Sequence, residues 1–183
     1  MNTSYVFFAD GFEEIEALSV VDVLRRAGMP VVTVSINSNA QAVGAHGVPV
    51  VADAVIADIP VDVDAEWLVL PGGMPGASNL AACAPLVSLL RSQYEAGRGV
   101  AAICASPSVV FGPLGFVNGR KAVCYPGMED GLAGADVQSS QVAVDGNVIT
   151  GNGPAAASRF ALAIVELTVG ADAADQVAQG MLL

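Results

Sequence analysis

Histidine and basic residues are scarce in this sequence, and each scarcity excludes a class of protein. There is one histidine, His46, and the three cysteines form no CxxC pair, so no set of ligands has the spacing of a zinc site. Seven basic residues stand against 18 acidic ones, and the net charge is −11. This charge argues against nucleic acid or an anionic membrane surface as a partner.

Disulfide spacing and long apolar runs are also missing. An odd number of cysteines without the spacing of a disulfide scaffold is typical of a reducing compartment. No apolar run reaches the ~18 residues of a transmembrane helix. The first residues enter an apolar stretch without the basic region of a signal peptide. We therefore expect a cytoplasmic protein without a membrane partner.

The composition favours one globular unit with an aliphatic core. Hydrophobic residues make up 54% of the chain but aromatic residues only 5%, so the predicted core is built from Ala, Val, Leu and Ile. A chain of 183 residues can bury a substantial core, and no repeat or linker divides it. We predict a single domain over residues 1–183.

Short β-rich runs alternate with helical patterns, which predicts an α/β sandwich with a mostly parallel sheet. Asp145-Gly146 separates two strand-like runs and predicts a hairpin. The predicted strands are residues 5–9, 31–36, 48–51, 67–70, 99–103, 121–124, 141–144 and 147–150. The predicted helices are residues 13–27, 85–96, 154–167 and 173–179.

One cysteine stands at the end of a fully apolar strand. Cys104 follows residues 99–103 and precedes Ser106-Pro107, which suit the N-cap and the first position of a helix. At such a strand-to-helix turn, helix-terminal N–H groups favour a negative charge, so we expect a lowered thiol pKa and a reactive thiolate. The N–H of Ala105 is then offered to an oxyanion. The alternative is a buried structural cysteine.

A glycine pair follows another core strand. Ligands of open α/β sheets gather at the carboxyl ends of the strands, where residues 10–16, 71–76, 104–107, 125–127 and 151–154 are expected to meet. Gly72 and Gly73 lack a Cβ atom, so their backbone can approach a ligand and, with the N–H of Ala105, form an oxyanion hole. The alternative is a plain tight turn.

Three carboxylates begin the first predicted helix. Glu13 and Glu14 are explained by their favourable interaction with the helix dipole. Glu16 lies about one turn further and projects toward apolar neighbours. If it is buried beside Cys104, its pKa rises and it can act as a proton donor or shuttle. His46 is either a surface loop residue or the partner of the cysteine.

The strand-end segments, in their order along the chain, resemble the ThiJ/PfpI superfamily, and most closely the subfamily of the Parkinson disease protein and its bacterial relatives. This resemblance implies a flavodoxin-like three-layer α/β sandwich with a nucleophile-elbow cysteine, usually a homodimer, and no cofactor. The matching segments are GFEEIEA (11–17), LPGGMPGA (70–77), AAICASP (101–107), YPGMED (125–130) and GNGPAAASRFALAIVE (151–166).

The resemblance also implies roles for individual residues. Cys104 corresponds to the reactive cysteine, and Glu16 to the glutamate that hydrogen-bonds it. Gly72 and Gly73 correspond to the glycine pair, with backbone N–H groups at Gly73 and Ala105 facing the substrate.

Four further positions bear on the family comparison. Arg26 matches an arginine near the dimer interface and the pocket. Ala105 replaces the histidine of protease-like members, and Tyr125 replaces a histidine found after a later strand in others. His46 aligns where relatives carry an arginine that reaches across the dimer, so it is a candidate for the partner's pocket.

These residues lead to three hypotheses about function. The first is a cysteine-dependent enzyme of carbonyl stress defence, either a glutathione-independent glyoxalase that converts methylglyoxal to lactate or a deglycase acting on glycated proteins or nucleotides. The second is a redox-sensing stress protein or chaperone with an oxidisable Cys104. The third is a cysteine hydrolase or protease, which Ala105 and Tyr125 disfavour.

Overall fold

Strands and helices alternate along the chain in a computed structural model that describes residues 1–183. The strands are β1 (Ser4–Phe8), β2 (Val31–Ser35), β3 (Gln41–Val43), β4 (Pro49–Val51), β5 (Ala54–Val55), β6 (Trp67–Leu70), β7 (Gly99–Ile103), β8 (Lys121–Ala122), β9 (Asp136–Val137), β10 (Val142–Asp145) and β11 (Val148–Gly151). The helices are α1 (Glu14–Arg26), α2 (Gly76–Ala82), α3 (Ala84–Glu95), α4 (Gly112–Leu114), α5 (Ala157–Thr168) and α6 (Ala171–Gly180).

The central sheet has seven strands in the order β10-β11-β7-β6-β1-β2-β5. All neighbouring pairs are parallel except β10 and β11, which form the hairpin predicted at Asp145-Gly146. The order β2-β1-β6-β7-β11 is that of flavodoxin-like sheets. The predicted α/β sandwich with a mostly parallel sheet is therefore confirmed.

Successive strand residues enter two separate cores, one on each face of the sheet. In β1, Val6 and Phe8 pack with Leu24 of α1, whereas Phe7 packs with Leu86 of α3 on the opposite face. This alternation follows from the two-residue period of a strand. All six phenylalanines are buried, so aromatic rings contribute more to the cores than the low aromatic content predicts.

Some elements differ from the sequence predictions. Helix α2 begins directly after the Gly/Pro-rich loop and was not predicted. Only Lys121–Ala122 of the strand predicted over 121–124 pairs with another strand. The last long helix begins at Ala157, after a single 3-10 turn. No helix combines the length and the apolar character needed to cross a bilayer.

Candidate active site

Cys104 occupies a strained turn at the end of β7. Its backbone has a φ of +64°, a left-handed conformation that costs a non-glycine residue about 1–2 kcal/mol. Two backbone hydrogen bonds hold the turn: Cys104 donates its N–H to Gly151 O at 2.9 Å and accepts the N–H of Tyr125 at 2.8 Å. The residue is 7% exposed. The nucleophile-elbow geometry is confirmed, and strain of this kind clusters at functional sites.

The glycine pair lies directly against this turn. A Cβ atom on Gly72 would stand 2.5 Å from the Cβ of Cys104 and 2.9 Å from Oε2 of Glu16. Gly73 has a φ of +88°, and its Cβ would stand 2.5 Å from the backbone N of Glu13. Only glycine allows this approach, so the segment is more than a plain turn. The N–H groups of Gly73 and Ala105 both interact with the thiol of Cys104.

Glu16 is fully buried behind the glycine pair. Its Oε2 accepts the N–H of Gly72 at 2.7 Å, whereas its Oε1 has no hydrogen-bond partner. Burial raises the pKa of Glu16 to about 7, and the hydrogen bonds from Gly72 and Cys104 only partly oppose this rise. The sequence prediction of a buried Glu16 with a raised pKa beside Cys104 agrees with this geometry.

The predicted low pKa of the Cys104 thiol is wrong for this resting geometry. Burial raises the pKa of Cys104 to about 12, and the charge and hydrogen bond of Glu16 add to the rise. The N–H groups of Gly73 and Ala105 lower it by less. Two negative charges cannot be held side by side in a buried site at low cost, so one proton stays on the pair. Above about pH 7 this proton is held by the thiol rather than by Glu16.

The prediction that Ser106 caps a helix is wrong. Its backbone is already helical, with φ −65° and ψ −34°, and its side chain makes no capping bond. The hydroxyl instead donates to the carbonyl oxygen of Pro71 at 2.5 Å. A π-helical segment, Pro107–Phe111, follows and continues into α4. The regular helix start that was expected to lower the thiol pKa is thus absent.

Tyr125 stands at the mouth of the site. Its side chain is about half exposed, and its ring edge lies 3.6 Å from the position of a Cβ on Gly153. The neighbouring Cys124 is buried, and burial raises the pKa of its thiol to about 11, with a further contribution from the charge of Glu129. All three cysteines of the chain are free.

His46 pairs with Glu14 of its own chain. Both its backbone N–H and its Nδ1 lie 2.8 Å from the carboxylate oxygens of Glu14, which is mostly buried. The hydrogen bond with Glu14 raises the pKa of His46, whose imidazole is largely exposed. His46 is therefore an ion-paired loop residue in the single chain, and its approach to a partner's pocket stays a prediction.

Glu13, Glu14 and His46 also have ligand atoms within 4.8 Å of one another, as a metal ion would require. These groups are already engaged in the fold, however. Glu13 caps α1 by accepting the N–H of Glu16 at 2.7 Å, and both oxygens of Glu14 accept bonds from His46. The closeness of the two carboxylates to His46 is thus explained by the cap of α1 and by the hydrogen bonds to the loop between β3 and β4.

Arg26 lies at the other end of α1. It forms a 2.6 Å ion pair with Asp22, one helical turn away. Arg26 lies ten positions after Glu16, which is about 15 Å of helix, so Arg26 does not reach Cys104 within one chain. It lines a cleft of about 330 Å³ between α1 and α6.

The largest cleft is far from the cysteine. It has a volume of about 430 Å³ and is lined at the amino ends of the strands by Trp67, Gly99 and Asn147. No cleft of comparable size surrounds Cys104. The site at the carboxyl ends is therefore shallow in the single chain.

Most of the sequence matches a family of known proteins. Residues 3–167 match the DJ-1/PfpI family. The chain belongs to this family. It is 39% identical over 175 residues to Protein DJ-1 homolog A of Arabidopsis thaliana, covering 96% of this chain and 44% of that protein. The DJ-1/PfpI chain described here thus spans less than half the length of this relative.

Two further comparisons cover nearly whole chains of the DJ-1/PfpI family. Glutathione-independent glyoxalase DJR-1.2 of Caenorhabditis elegans is 32% identical over 173 residues, covering 93% of this chain and 90% of that protein. The structure of oxidized Toxoplasma gondii DJ-1 superposes with a TM-score of 0.96 at 35% identity, covering 100% of this chain and 98% of that one. The resemblance to the ThiJ/PfpI superfamily is confirmed.

Proposed function

We propose that this protein is a cysteine-dependent enzyme that converts small reactive carbonyl compounds without glutathione. The observation that carries the proposal is the pairing of Cys104 with Glu16, a buried carboxyl whose pKa is raised to about 7. A base with this pKa can both accept and return a proton near neutral pH. The glyoxalase among the relatives supports the same chemistry.

The first step is attack of Cys104 Sγ on the aldehyde carbon of methylglyoxal. The thiol proton passes to the carboxylate of Glu16, whose Oε1 has no hydrogen-bond partner. The carbonyl oxygen becomes an oxyanion, which the N–H groups of Gly73 and Ala105 stabilise. Glu16 returns the proton to this oxygen, which completes a hemithioacetal on Cys104 and leaves Glu16 ionised for the next step.

The second step moves hydrogen between the two oxygen-bearing carbons. Glu16 removes the proton from the carbon bonded to sulfur, an enediol forms, and Glu16 returns a proton to the adjacent carbon. The product is a lactoyl thioester, which water hydrolyses to lactate with release of the thiol. The balance is methylglyoxal plus water to lactic acid, so no external oxidant or reductant is consumed. Attack on a glycation adduct of a protein or nucleotide would begin in the same way.

Oxidation of Cys104 is a second candidate function. A protonated Glu16, with the N–H groups of Gly73 and Ala105, can donate hydrogen bonds to the oxygen atoms of a sulfinate. Peptide mass spectrometry after mild peroxide treatment would show a gain of two oxygen atoms on Cys104. This gain, without any turnover of methylglyoxal, would favour the sensor over the enzyme.

We also propose that the protein is a homodimer. Apolar side chains are exposed on α1 and on the β3–β4 hairpin, including Ile15, Leu18, Val48 and Val51. Ile15 and Leu18 lie three positions apart on α1, so they share one exposed face of the helix, which a second copy would cover. Analytical ultracentrifugation should show a dimer that Leu18→Asp dissociates, and a wild-type monomer would contradict the proposal.

The free cysteines support a reducing, cytoplasmic location, which cell fractionation tests.

Lactate formation from methylglyoxal in the absence of glutathione tests the enzymatic proposal. Wild type should form lactate, Cys104→Ser should not, and Cys83→Ser, which lies between α2 and α3, should match wild type. Turnover that survives in Cys104→Ser would contradict the mechanism.

A further inference from the structure

Ser106 joins two loops that meet at the candidate active site. It is completely buried, and its hydroxyl donates to the carbonyl oxygen of Pro71 at 2.5 Å. The two residues are 35 positions apart in sequence, one after β7 and the other after β6. This bond is the only hydrogen bond between residues 105–108 and residues 71–73.

The loop that Ser106 holds carries two groups of the site. Gly72 donates its N–H to Glu16 Oε2, and the N–H of Gly73 faces the thiol of Cys104. On its other side, the loop is tied to α1 because Glu13 donates its N–H to Gly72 O at 2.9 Å. Hydrogen bonds therefore hold the loop on two sides, to the start of α1 and to the cysteine turn, and the Ser106 hydroxyl donates the bond on the cysteine side.

We propose that Ser106 is a positioning residue that sets the loop of Pro71, Gly72 and Gly73 against Cys104. Through this loop it fixes the distance between the two N–H donors, at Gly73 and Ala105, that face the thiol. It also keeps the Gly72 N–H on Glu16, and that hydrogen bond lowers the pKa of a carboxyl that burial raises. For turnover this inference rests on the proposed function, whereas for the titration of Glu16 it stands on the geometry alone.

Removal of the Ser106 hydroxyl should loosen the loop but leave the N–H donors of Gly73 and Ala105 in place. Ser106→Ala should lower kcat for methylglyoxal by about tenfold, short of the ~10²–10³ that loss of a whole oxyanion donor costs. KM should change less. A looser Gly72 hydrogen bond should also raise the apparent pKa of Glu16, which the pH dependence of Cys104 alkylation by iodoacetamide reports.

Ser108→Ala is the matched control. Ser108 is also buried, lies in the π-helical segment that follows Ser106, and donates to Met128 O at 2.7 Å, away from Glu16. Ser108→Ala should lose about as much stability in thermal unfolding as Ser106→Ala, but it should keep the wild-type kcat and alkylation profile. If Ser106→Ala does not fold, Ser106→Cys keeps the volume with a much weaker donor and should show the same loss of kcat.

Two results would overturn the proposal. One is an alkylation profile of Ser106→Ala that coincides with those of wild type and Ser108→Ala. The other is a loss of kcat no larger than that of Ser108→Ala. If wild type has no turnover but the alkylation profile still shifts in Ser106→Ala, the proposed function fails and the positioning role of Ser106 stands.

Discussion

Replacing Glu16 with glutamine should change how the stability of the protein depends on pH. Burial raises the pKa of Glu16 from its ordinary value of 4.5 to about 7 in the folded chain. Between these pH values the folded chain keeps a proton that the unfolded chain has released. Stability therefore falls as pH rises through this window and then levels off, and the full difference is worth about 3 kcal/mol.

The glutamine variant lacks this titration. The free energy of unfolding of Glu16→Gln, relative to wild type, should therefore rise by about 2–3 kcal/mol from about pH 5 to about pH 8. Glutamine can still accept the N–H of Gly72, and any constant cost of the new amide cancels in this comparison.

Urea unfolding at several pH values measures the effect. Glu95→Gln, at an exposed carboxylate of α3, is the control and should show a constant difference from wild type. If the difference between Glu16→Gln and wild type is equally constant, Glu16 is not a carboxyl with a raised pKa, and the reasoning is refuted.

Three further predictions concern stability. Asp53→Asn should lose about 1 kcal/mol of stability near neutral pH, because the Asp53 carboxylate accepts hydrogen bonds from Thr33. Those bonds hold the pKa of Asp53 below its ordinary value, so the loss measured by urea unfolding should shrink as pH falls. Gly112→Ala should lose about 1–3 kcal/mol of stability because its Cβ would overlap a backbone carbonyl, whereas Gly180→Ala, in open space on α6, should gain up to about 1 kcal/mol. Unfolding temperatures that shift in the same direction in both variants would contradict this. His46→Ala should lose stability at acidic pH, and the loss should fade as pH rises, because a hydrogen bond to a buried carboxylate raises the pKa of His46; a loss independent of pH would refute the ion pair.

The sequence was sufficient to predict which segments meet at the candidate site. Cys104, Glu16, Gly72 and Gly73 all follow directly after strands or begin the next helix, and the strands of a parallel sheet end on one side. The continuous apolar runs of β1, β6 and β7 are strong enough to place those ends. Local pattern and one topological rule therefore account for the arrangement.

Local pattern could not predict long-range side-chain partners. Ser106 looked like a helix cap, but its acceptor is 35 residues away and depends on where the β6 loop packs. Glu14 looked like a simple first-turn acid, but it holds His46, 32 residues away. The predicted decrease of the Cys104 pKa was wrong for the same reason: burial and the neighbouring Glu16 raise the pKa by more than the backbone N–H groups lower it.

The pH–rate profile of lactate formation by wild type and Glu16→Gln tests the central claim most directly. That claim is that Cys104 and Glu16 share one proton and pass it during carbonyl chemistry. The wild-type rate should rise with pH through about 7 as Glu16 ionises. Glu16→Gln should lack this inflection and lose about 10²–10⁴-fold in kcat. A variant that keeps both the wild-type rate and the inflection would contradict the account.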